Sequence, residues 1–345
     1  MKFGLFDHVD RSDRPLAQQL DERIAYVVAA EQAGFYGYHV AEHHATPLNM
    51  VPVPGVWLGT LARATTRIRL GTLVYLLPLY SPLRLIEEIC MLDHLSHGRL
   101  DVGVGRGVSA YELNYHKVDP ETSREVFIDA FETILAGLTH DRLTRNGKYF
   151  SYTNVPMELK PLQRPHPPFW YGSSNETGAA WAGDQGLHFS TLGASVRAKA
   201  NIDAYKTALA KRGGPAIASG DFSGGAAIGA VRHVVVADSD SEALRIAKPA
   251  YDHWYGNLTK LERDNVAGPR FARSMVGNLD EAIAVGSALI GAPATIRAAI
   301  ERQAKELGIN YLICDFAFGT LGPDQVLRSL ALFAAAVQPK FADRP

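Results

Sequence analysis

The stretch Phe35-Tyr-Gly-Tyr-His-Val-Ala-Glu-His-His44 decides the predicted fold of this chain. Residues 36–40 are aromatic or β-branched around one glycine, which predicts a short buried strand, and Gly34 ends the amphipathic helix before it. The polarity then changes abruptly at Glu42-His43-His44. An acid and two imidazoles at the carboxyl end of a strand that follows a helix are typical of α/β enzymes, which place their chemistry at that edge.

Seven further strands are predicted along the chain, and nearly every one is followed by a helix. They are Lys2 to Phe6, Ile68 to Val74, Arg99 to Val104, Pro168 to Tyr171, Leu187 to Thr191, Ala230 to Ala237 and Ile309 to Phe316. Strict alternation predicts a parallel sheet, and eight repeats predict closure into a TIM-type (β/α)8 barrel. A doubly wound open sheet is the alternative, but the first turn, Phe6-Asp7-His8, lacks the glycine cluster of a dinucleotide site.

No domain boundary is evident, so residues 1–345 are predicted to form a single barrel domain. Insertions are expected near 139–167, with a short hairpin around Asn146-Gly147, near 213–228 and near 256–292. The segment from Gly213 to Gly225 is rich in Gly, Ala and Ser and is expected to be flexible, and 256–278 shows no clear period, so no regular structure is predicted there. Within the insertion near 256–292, a helix is expected from Asp280 to Leu289.

The composition is that of an ordinary globular protein able to build a large core. Hydrophobic residues make up 47% and charged residues 21%, and the formal net charge is -1. No basic block interleaved with aromatic residues occurs, so a nucleic-acid partner is not expected. No apolar run is long enough for a membrane span, and Cys90 and Cys314 both lie in apolar runs. A cytoplasmic protein with buried thiols is therefore expected.

The Glu42-His43-His44 triplet has more than one interpretation. Adjacent histidines in an extended chain point in opposite directions, and no Cys/His cluster supplies further ligands, so a metal site is not expected. One imidazole facing the barrel mouth could act as an acid or base, because its ordinary pKa lies near neutrality. Two structural histidines bonded to loop backbone are an equally good interpretation of the spacing alone.

Two polar turns follow the fourth and fifth predicted strands. Gly105-Arg106-Gly107 combines close backbone approach with a guanidinium, and Gly172-Ser173-Ser174-Asn175 opens a helix whose N–H groups suit an anion. Each turn alone is ordinary, as a tight turn or a helix cap. Neighbouring strand ends lie close together in a barrel, so jointly the two turns favour a phosphorylated ligand held between Arg106 and Ser174.

Several segments together resemble the bacterial luciferase-like flavin monooxygenases, nearly along the whole chain. The matching segments are Lys2 to Phe6, Ala41 to His44, Leu70-Gly-Thr72 with Leu77-Pro78 and Pro82, Leu92 to Arg99 preceding Gly103 to Gly107, His253-Trp254-Tyr255 and Gly308-Ile309. The combination is specific, although any one piece would not be. The fold of that family is a TIM-type barrel with an insertion before the eighth strand, in agreement with the strand count.

The resemblance implies a function and a set of site residues. It implies reduced FMN as a cosubstrate, supplied by a separate NAD(P)H:flavin reductase, which reacts with dioxygen to give a flavin peroxide that attacks a small-molecule substrate. The apolar stretch from Leu73 to Leu79 suggests an apolar substrate, such as an aldehyde or a ketone. The site residues implied are His43 as the catalytic histidine, Arg106 with Ser173, Ser174, Asn175 and Gly178 around the FMN phosphate, Leu73-Val74 as a cis peptide beneath the flavin ring, and Glu42 among the cofactor-binding residues.

The resemblance also implies a homodimer and some differences from the luciferases. The helix from Pro82 to Leu95 matches the dimer interface of the family, where Glu87 would contact the partner's His44. Gly105 replaces a reactive cysteine and Gly193 a pocket tryptophan, so light emission is not expected. The segment 256–278 overlaps the mobile lid of the luciferase and is expected to close over the flavin.

Two alternatives stay open. One is a reductase or dehydrogenase of the same superfamily that uses a deazaflavin cofactor. The other is a non-catalytic flavin-binding or partner subunit, like the luciferase β chain, although the retained Glu42-His43-His44 triplet favours an enzyme.

Overall fold

The computed structural model describes residues 1–265, 268 and 275–341. Its strands are β1 Lys2–Asp7, β2 Gly37–Val40, β3 Arg69–Thr72, β4 Tyr75–Leu76, β5 Leu100–Gly105, β6 Arg142–Asn146, β7 Ser151–Pro156, β8 Phe169–Gly172, β9 His188–Thr191, β10 Ile228–Val236, β11 Ala288–Gly291 and β12 Tyr311–Asp315. Its α-helices are α1 Leu16–Gln32, α2 Pro54–Ala64, α3 Pro82–Leu95, α4 Ala110–Tyr115, α5 Ser123–Thr139, α6 Glu176–Gln185, α7 Ser195–Arg212, α8 Asp240–Leu258, α9 Lys260–Asp264, α10 Leu279–Ala284, α11 Pro293–Leu307 and α12 Pro323–Ala336.

Eight parallel strands form a closed barrel. Their order is β1-β2-β3-β5-β8-β9-β10-β12, and β12 pairs with β1 to complete the ring. The predicted TIM-type (β/α)8 barrel is therefore confirmed. All eight carboxyl ends open on one side, which is where barrel enzymes keep their sites.

The longest strand, β10, joins the barrel to a ninth parallel strand. Its first residues pair with β9, whereas His233 to Val236 pair with β11. The helix predicted from Asp280 to Leu289 is present only in its first half, because α10 spans Leu279–Ala284 and β11 begins at Ala288. Gly286, with a positive φ of 76°, separates the two elements. A short apolar run such as Ala288-Leu-Ile is ambiguous between helix and strand, which explains the error.

The third predicted strand is also shorter than expected. It was predicted to span Ile68 to Val74, but β3 ends at Thr72 and the Leu73-Val74 peptide that follows is cis. The chain then pairs again with β5 through β4. Leu73 and Val74 therefore lie outside β3, at the carboxyl ends of the barrel strands, where they line the cleft described below.

Large side chains fill the lower interior of the barrel. Trp170 and Tyr311 are fully buried there, and Phe222 from the 213–228 insertion packs edge-on against both rings. The Gly/Ala/Ser-rich composition predicted a flexible loop, but Phe222 is only 4% exposed and ties the loop to the barrel floor. The hairpin predicted near Asn146-Gly147 is present as β6 and β7.

Two other predictions concern membranes and the lid. None of the described helices is long and apolar enough to cross a membrane. The segment 256–278 was predicted to lack regular structure, but α8 continues to Leu258 and α9 follows it. Residues 266, 267 and 269–274 form the middle of the predicted lid and lie outside the described residues.

Candidate active site

A cleft opens at the carboxyl ends of the barrel strands. Its volume is about 1060 Å³, including the open mouth. Eight of the predicted site residues line it: Glu42, His43, Leu73, Val74, Arg106, Ser173, Ser174 and Asn175. The topology thus brings together side chains that follow β2, β3, β5 and β8, as expected of neighbouring strands in a barrel. His44, Glu87 and Gly178 do not line the cleft.

His43 forms an ion pair with Glu112, a residue that the sequence analysis did not single out. His43 Nδ1 lies 3.2 Å from Glu112 Oε1, and the backbone N–H of His44 donates to Glu112 Oε2 at 2.8 Å. The His43 side chain is 17% exposed and that of Glu112 only 2%. A single carboxylate therefore fixes both the ring of His43 and the backbone beside it.

The ion pair shifts the pKa values of both partners. Burial lowers the pKa of His43, but the charge and hydrogen bond of Glu112 outweigh it and raise that pKa above its ordinary value. Burial alone would raise the pKa of Glu112. The charge and hydrogen bond of His43, together with the hydrogen bond from the His44 N–H, outweigh burial and lower the pKa of Glu112 below its ordinary value. With Glu112 ionised, His43 donates from Nδ1. Nε2 has no hydrogen-bond partner among the described residues and is free for a ligand.

A capping pattern could have identified Glu112. Ser109-Ala-Tyr-Glu112 has the S-x-x-E spacing of a capping box, and the Glu112 N–H donates to Ser109 Oγ at 3.4 Å as that pattern predicts. The Glu112 carboxylate, however, binds the loop after β2. The sequence alone predicts the contact between Glu112 and Ser109. The contact with His43, 69 positions away, depends on the fold.

Glu42 holds the loops around the cleft together. It accepts hydrogen bonds from the Leu76 N–H at 2.8 Å and from the Tyr80 hydroxyl at 2.8 Å, and His44 Nε2 lies 2.7 Å from Oε1. Glu42 was predicted to bind the cofactor. It lines the cleft, but its two oxygens are bonded to protein groups, so its contribution there is to position β4 and His44.

A flat apolar surface lies beside His43. The cis peptide Leu73-Val74 contributes both side chains to the cleft. A Cβ atom on Gly105 would lie 2.4 Å from Cγ2 of Val74, so glycine at this position allows Val74 to pack directly over β5. Leu76 and Tyr171 extend the apolar lining.

Another part of the cleft lining is suited to an anion. Arg106 is exposed and makes no ion pair within the part of the chain that the structure describes, and the Ser174 hydroxyl has no partner there either. The amino terminus of the ten-residue helix α6 opens beside them, with its first N–H groups and positive dipole end. These are the groups that hold phosphates in other proteins.

The remaining members of the predicted phosphate turn bind one another. Asn175 caps α6 by accepting from the Gly178 N–H at 2.9 Å, and the Ser173 hydroxyl donates to the Asn175 carbonyl at 2.9 Å. Ser173 and Asn175 line the cleft, but Gly178 is buried beneath the turn. The three residues therefore shape the turn, and Ser174 is its free hydroxyl.

His8 was assigned by sequence only to a polar loop, yet it lines the cleft. Its ring centroid lies 5.8 Å from that of His43. Burial, strengthened by His43 nearby, lowers the pKa of His8 to about 3 against the opposing charges of Asp10 and Asp7. His8 is therefore neutral at pH 7, whereas the raised pKa of His43 favours its protonated form. No group of residues suited to a metal ion occurs within the described ranges.

Together, the closed barrel, the histidine–carboxylate pair and the anion-suited turn define an enzyme-like cleft at the barrel mouth that is suited to a ligand with an anionic group. The family model for luciferase-like monooxygenases matches residues 1–311. The chain therefore belongs to the luciferase-like monooxygenase family, and the predicted resemblance is confirmed.

Individual relatives agree with this assignment. The chain is 35% identical over its whole length to the uncharacterized protein y4wF of Sinorhizobium fredii, covering 97% of that protein. It is 31% identical over 198 residues to the oxygenase component of the flavin-dependent trigonelline monooxygenase of Acinetobacter baylyi, a match over 54% of this chain and 53% of that one.

A solved structure has the same fold. It is the oxygenating constituent of 3,6-diketocamphane monooxygenase from Pseudomonas putida, in complex with FMN. The two chains are 20% identical with a TM-score of 0.82, and the match covers 99% of this chain and 98% of that one. The trigonelline relative is itself named as a flavin-dependent monooxygenase component, and the prediction of a flavin-dependent monooxygenase enzyme is confirmed.

Proposed function

We propose that this protein is the oxygenase of a two-component system that uses reduced FMN and dioxygen to oxygenate a small organic substrate. The observation that carries the proposal is the arrangement of the cleft. An unpaired guanidinium and a turn that opens a helix line it, together with a protonatable histidine and the apolar side chains of Leu73 and Val74. FMN has the matching pair of ends, a dianionic phosphate and a planar ring.

The residues present fit FMN at both ends. Arg106, Ser174 and the N–H groups of Glu176 and Thr177 at the start of α6 would hold the phosphate, because no described residue uses these donors. Leu73 and Val74 would support the ring, which needs a flat apolar contact. Reduced flavin supplies electrons for the activation of dioxygen.

His43 would control protons beside that ring. Glu112 holds the imidazole through Nδ1, so Nε2 is the atom that can give or take a proton in the cleft. Its raised pKa favours the protonated form, so it would act first as an acid and then as a base. The low exposure of the pair limits competing exchange with bulk water.

A homodimer and a separate reductase complete the proposal. Val56 is 72% exposed on α2, and Met91, 56% exposed, lies with Leu95 on the adjacent helix α3. Such a cluster of exposed apolar side chains is typical of a protein interface. Glu87 is exposed on the same helix, and the predicted contact with the partner's His44 stays a prediction. A relative named an oxygenase component supports the reductase partner.

The test is oxygen uptake by the purified protein with a flavin reductase, NADH and FMN, screened against aldehydes, ketones and terpenes. Substrate-dependent uptake is expected, with one atom of ¹⁸O₂ in the product. Titration with FMN and with a deazaflavin distinguishes the reductase or dehydrogenase alternative. Tight binding and turnover with the deazaflavin alone would refute the proposal. Flavin binding without oxygen uptake for any substrate would instead favour a non-catalytic subunit.

A further inference from the structure

A second, much smaller cavity lies behind the wall of the cleft. It shares Phe6, His8, Leu192 and Val231 with that wall, so the two spaces adjoin. Its other walls include polar side chains from three further elements: His233 on β10, Trp254 on α8 and Asp315 on β12. The space has room for about one water molecule and is too small for an organic ligand. We call it the inner cavity.

Three buried polar atoms at the inner cavity have no hydrogen-bond partner within the described residues. They are Nδ1 of His8, Nε2 of His233 and Nε1 of Trp254. Asp315 Oδ2 lies 3.9 Å from the first atom and 3.5 Å from the second, too far for a good hydrogen bond. Buried polar groups in folded proteins nearly always have a partner, which is often an ordered water. These atoms therefore indicate a bound water in the inner cavity, which we call the inner water.

A single water molecule can satisfy all four polar groups. The Trp254 indole N–H can only donate, and the ionised Asp315 carboxylate can only accept. A neutral imidazole nitrogen does either, according to its tautomer, and burial keeps both rings neutral by lowering the pKa values of His8 and His233 to about 3. The inner water can accept from Trp254 and from one imidazole, and it can donate to Asp315 and to the other imidazole.

His8 connects the inner cavity with the cleft. Its Nδ1 is buried at the inner cavity, whereas its side chain is 13% exposed and lines the cleft beside His43. Its Nε2 has no hydrogen-bond partner among the described residues. Because burial and the nearby His43 make a charged His8 unfavourable, a proton gained at Nε2 has to be balanced by a proton lost at Nδ1.

We propose that His8, the inner water and Asp315 form a relay that carries protons between the cleft and the barrel interior. His8 Nε2 takes a proton from a group in the cleft, Nδ1 gives its proton to the inner water, and that water gives one of its own to the Asp315 carboxylate. His8 ends neutral in its other tautomer, and Asp315 ends as a neutral carboxyl. The reverse steps return the proton. The inner water keeps its hydrogen bonds in both states, because Asp315 becomes a donor as Nδ1 becomes an acceptor.

The surroundings of Asp315 suit a group that exchanges protons near neutrality. Burial raises its pKa to about 7 against the charge of Arg23. The titratable groups that face the relay are His43, Asp7 and Asp10 around His8, and Arg23, Asp7, Tyr26, His233 and Cys314 around Asp315. The relay rests on the proposed function, since oxygenation makes water from one atom of dioxygen and therefore consumes protons in the cleft.

A crystal structure of the unmodified protein tests the inner water. We expect one ordered water within about 3.2 Å of both His8 Nδ1 and Asp315 Oδ2. His233 Nε2 and Trp254 Nε1 should be its remaining partners, which makes them positioning residues. No ordered water at that place, or a water that contacts only one of the two relay residues, would overturn the inference.

Histidine ¹⁵N NMR without flavin tests the link between His8 and Asp315. The chain has 12 histidines, and His8→Gln identifies the signals of His8. A His43→Gln background removes the titration of the neighbouring imidazole. As the pH rises through about 7 and Asp315 ionises, the proton of His8 should move from Nε2 to Nδ1, where the inner water then accepts it.

A matched pair of variants separates the relay from a general effect of buried charge. Asp315→Asn should abolish the tautomer exchange of His8. Asp10→Asn should retain it, because Asp10 is equally buried, with a pKa that burial raises to about 6, but lines neither the cleft nor the inner cavity. One tautomer at every pH, or an exchange that persists in Asp315→Asn, would overturn the inference. If Asp315→Asn does not fold, the unmodified protein still decides through its tautomer and its inner water.

Turnover tests whether the relay serves the reaction. Asp315→Asn and His8→Gln should each lower kcat by about 10- to 100-fold, at or below the low end of an acid–base contribution, with unchanged affinity for FMN. Asp315→Asn should also leave KM unchanged. The double variant should be no slower than the slower single variant, because both changes break one relay. An unchanged kcat in either single variant, or losses that multiply in the double variant, would overturn the inference.

FMN titration scores the proposed function separately, because the crystal structure and the NMR titration need no flavin. Failed FMN binding with an intact tautomer exchange counts against the flavin assignment only. Oxygen uptake with normal FMN affinity but without the tautomer exchange counts against the relay only.

Discussion

His39 and His43 lie four positions apart, one within β2 and one just after it, yet their environments are opposite. The ring of His39 is fully buried in the barrel, with Nε2 3.0 Å from the Tyr311 hydroxyl, and burial lowers its pKa to about 4. His43 reaches the mouth, where Glu112 raises its pKa. The comparison shows that a carboxylate partner can reverse the lowering of a histidine pKa by burial.

Substituting each histidine in turn gives the largest expected difference. His43→Ala should slow oxygenation by about 10²- to 10⁴-fold, the usual contribution of a general acid or base, with unchanged affinity for FMN. Oxygen uptake and a flavin fluorescence titration measure the two quantities. Unchanged turnover would remove His43 from the mechanism.

His39→Ala is the matched control within the strand. It leaves a cavity and an unpaired Tyr311 hydroxyl, so the free energy of unfolding should fall by about 2–5 kcal/mol. Turnover per folded molecule should be unchanged. Urea denaturation and activity of the folded fraction check this, and a specific loss of turnover would mean that the barrel interior takes part in the reaction.

Arginines at the two ends of the barrel give the second comparison. Arg106→Ala should weaken FMN binding by about 10- to 100-fold, the value of a charged hydrogen bond, and should not change riboflavin binding. Arg67→Ala, before β3 at the amino-terminal end, should alter neither affinity. Equal weakening of FMN and riboflavin would place the phosphate elsewhere.

Glu112→Gln tests the cause of the raised pKa of His43. The change removes the charge that favours the protonated imidazole, so the pKa of His43 should fall and the pH profile of turnover should move to lower pH. At neutral pH the protonated fraction falls, and an acid-dependent rate should drop about tenfold. A profile that stays in place would show that a group other than His43 controls it.

The smallest expected effects concern two glycines. Gly105→Ala places a Cβ atom 2.4 Å from Val74 and should destabilise the fold by about 1–3 kcal/mol while distorting the apolar floor. Gly256→Ala meets no atom within 4 Å on α8 and should stabilise the protein by up to about 1 kcal/mol. Thermal unfolding measures the stability of both variants. Equal changes in stability would show that the Val74 side chain moves to make room for the new Cβ atom.

The sequence was most informative where the signal is local. Glu42-His43-His44 and Gly105-Arg106-Gly107 each follow a strand within a few positions, so the barrel topology alone brings them to one mouth. Glu112 and Phe222 could not be placed in this way, because their partners lie far away along the chain. The strand β11 was missed because four apolar residues carry no period that separates helix from strand.

The plugged floor of the barrel has a kinetic consequence. Over the residues that the structure describes, Phe222, Trp170 and Tyr311 occupy the lower interior, and the cleft opens upward. A cofactor and a substrate that bind one above the other in a cleft with a single opening must leave in the reverse of the order in which they bound. Steady-state patterns should therefore be ordered, with product inhibition that distinguishes the deeper compound from the one bound nearer to solvent.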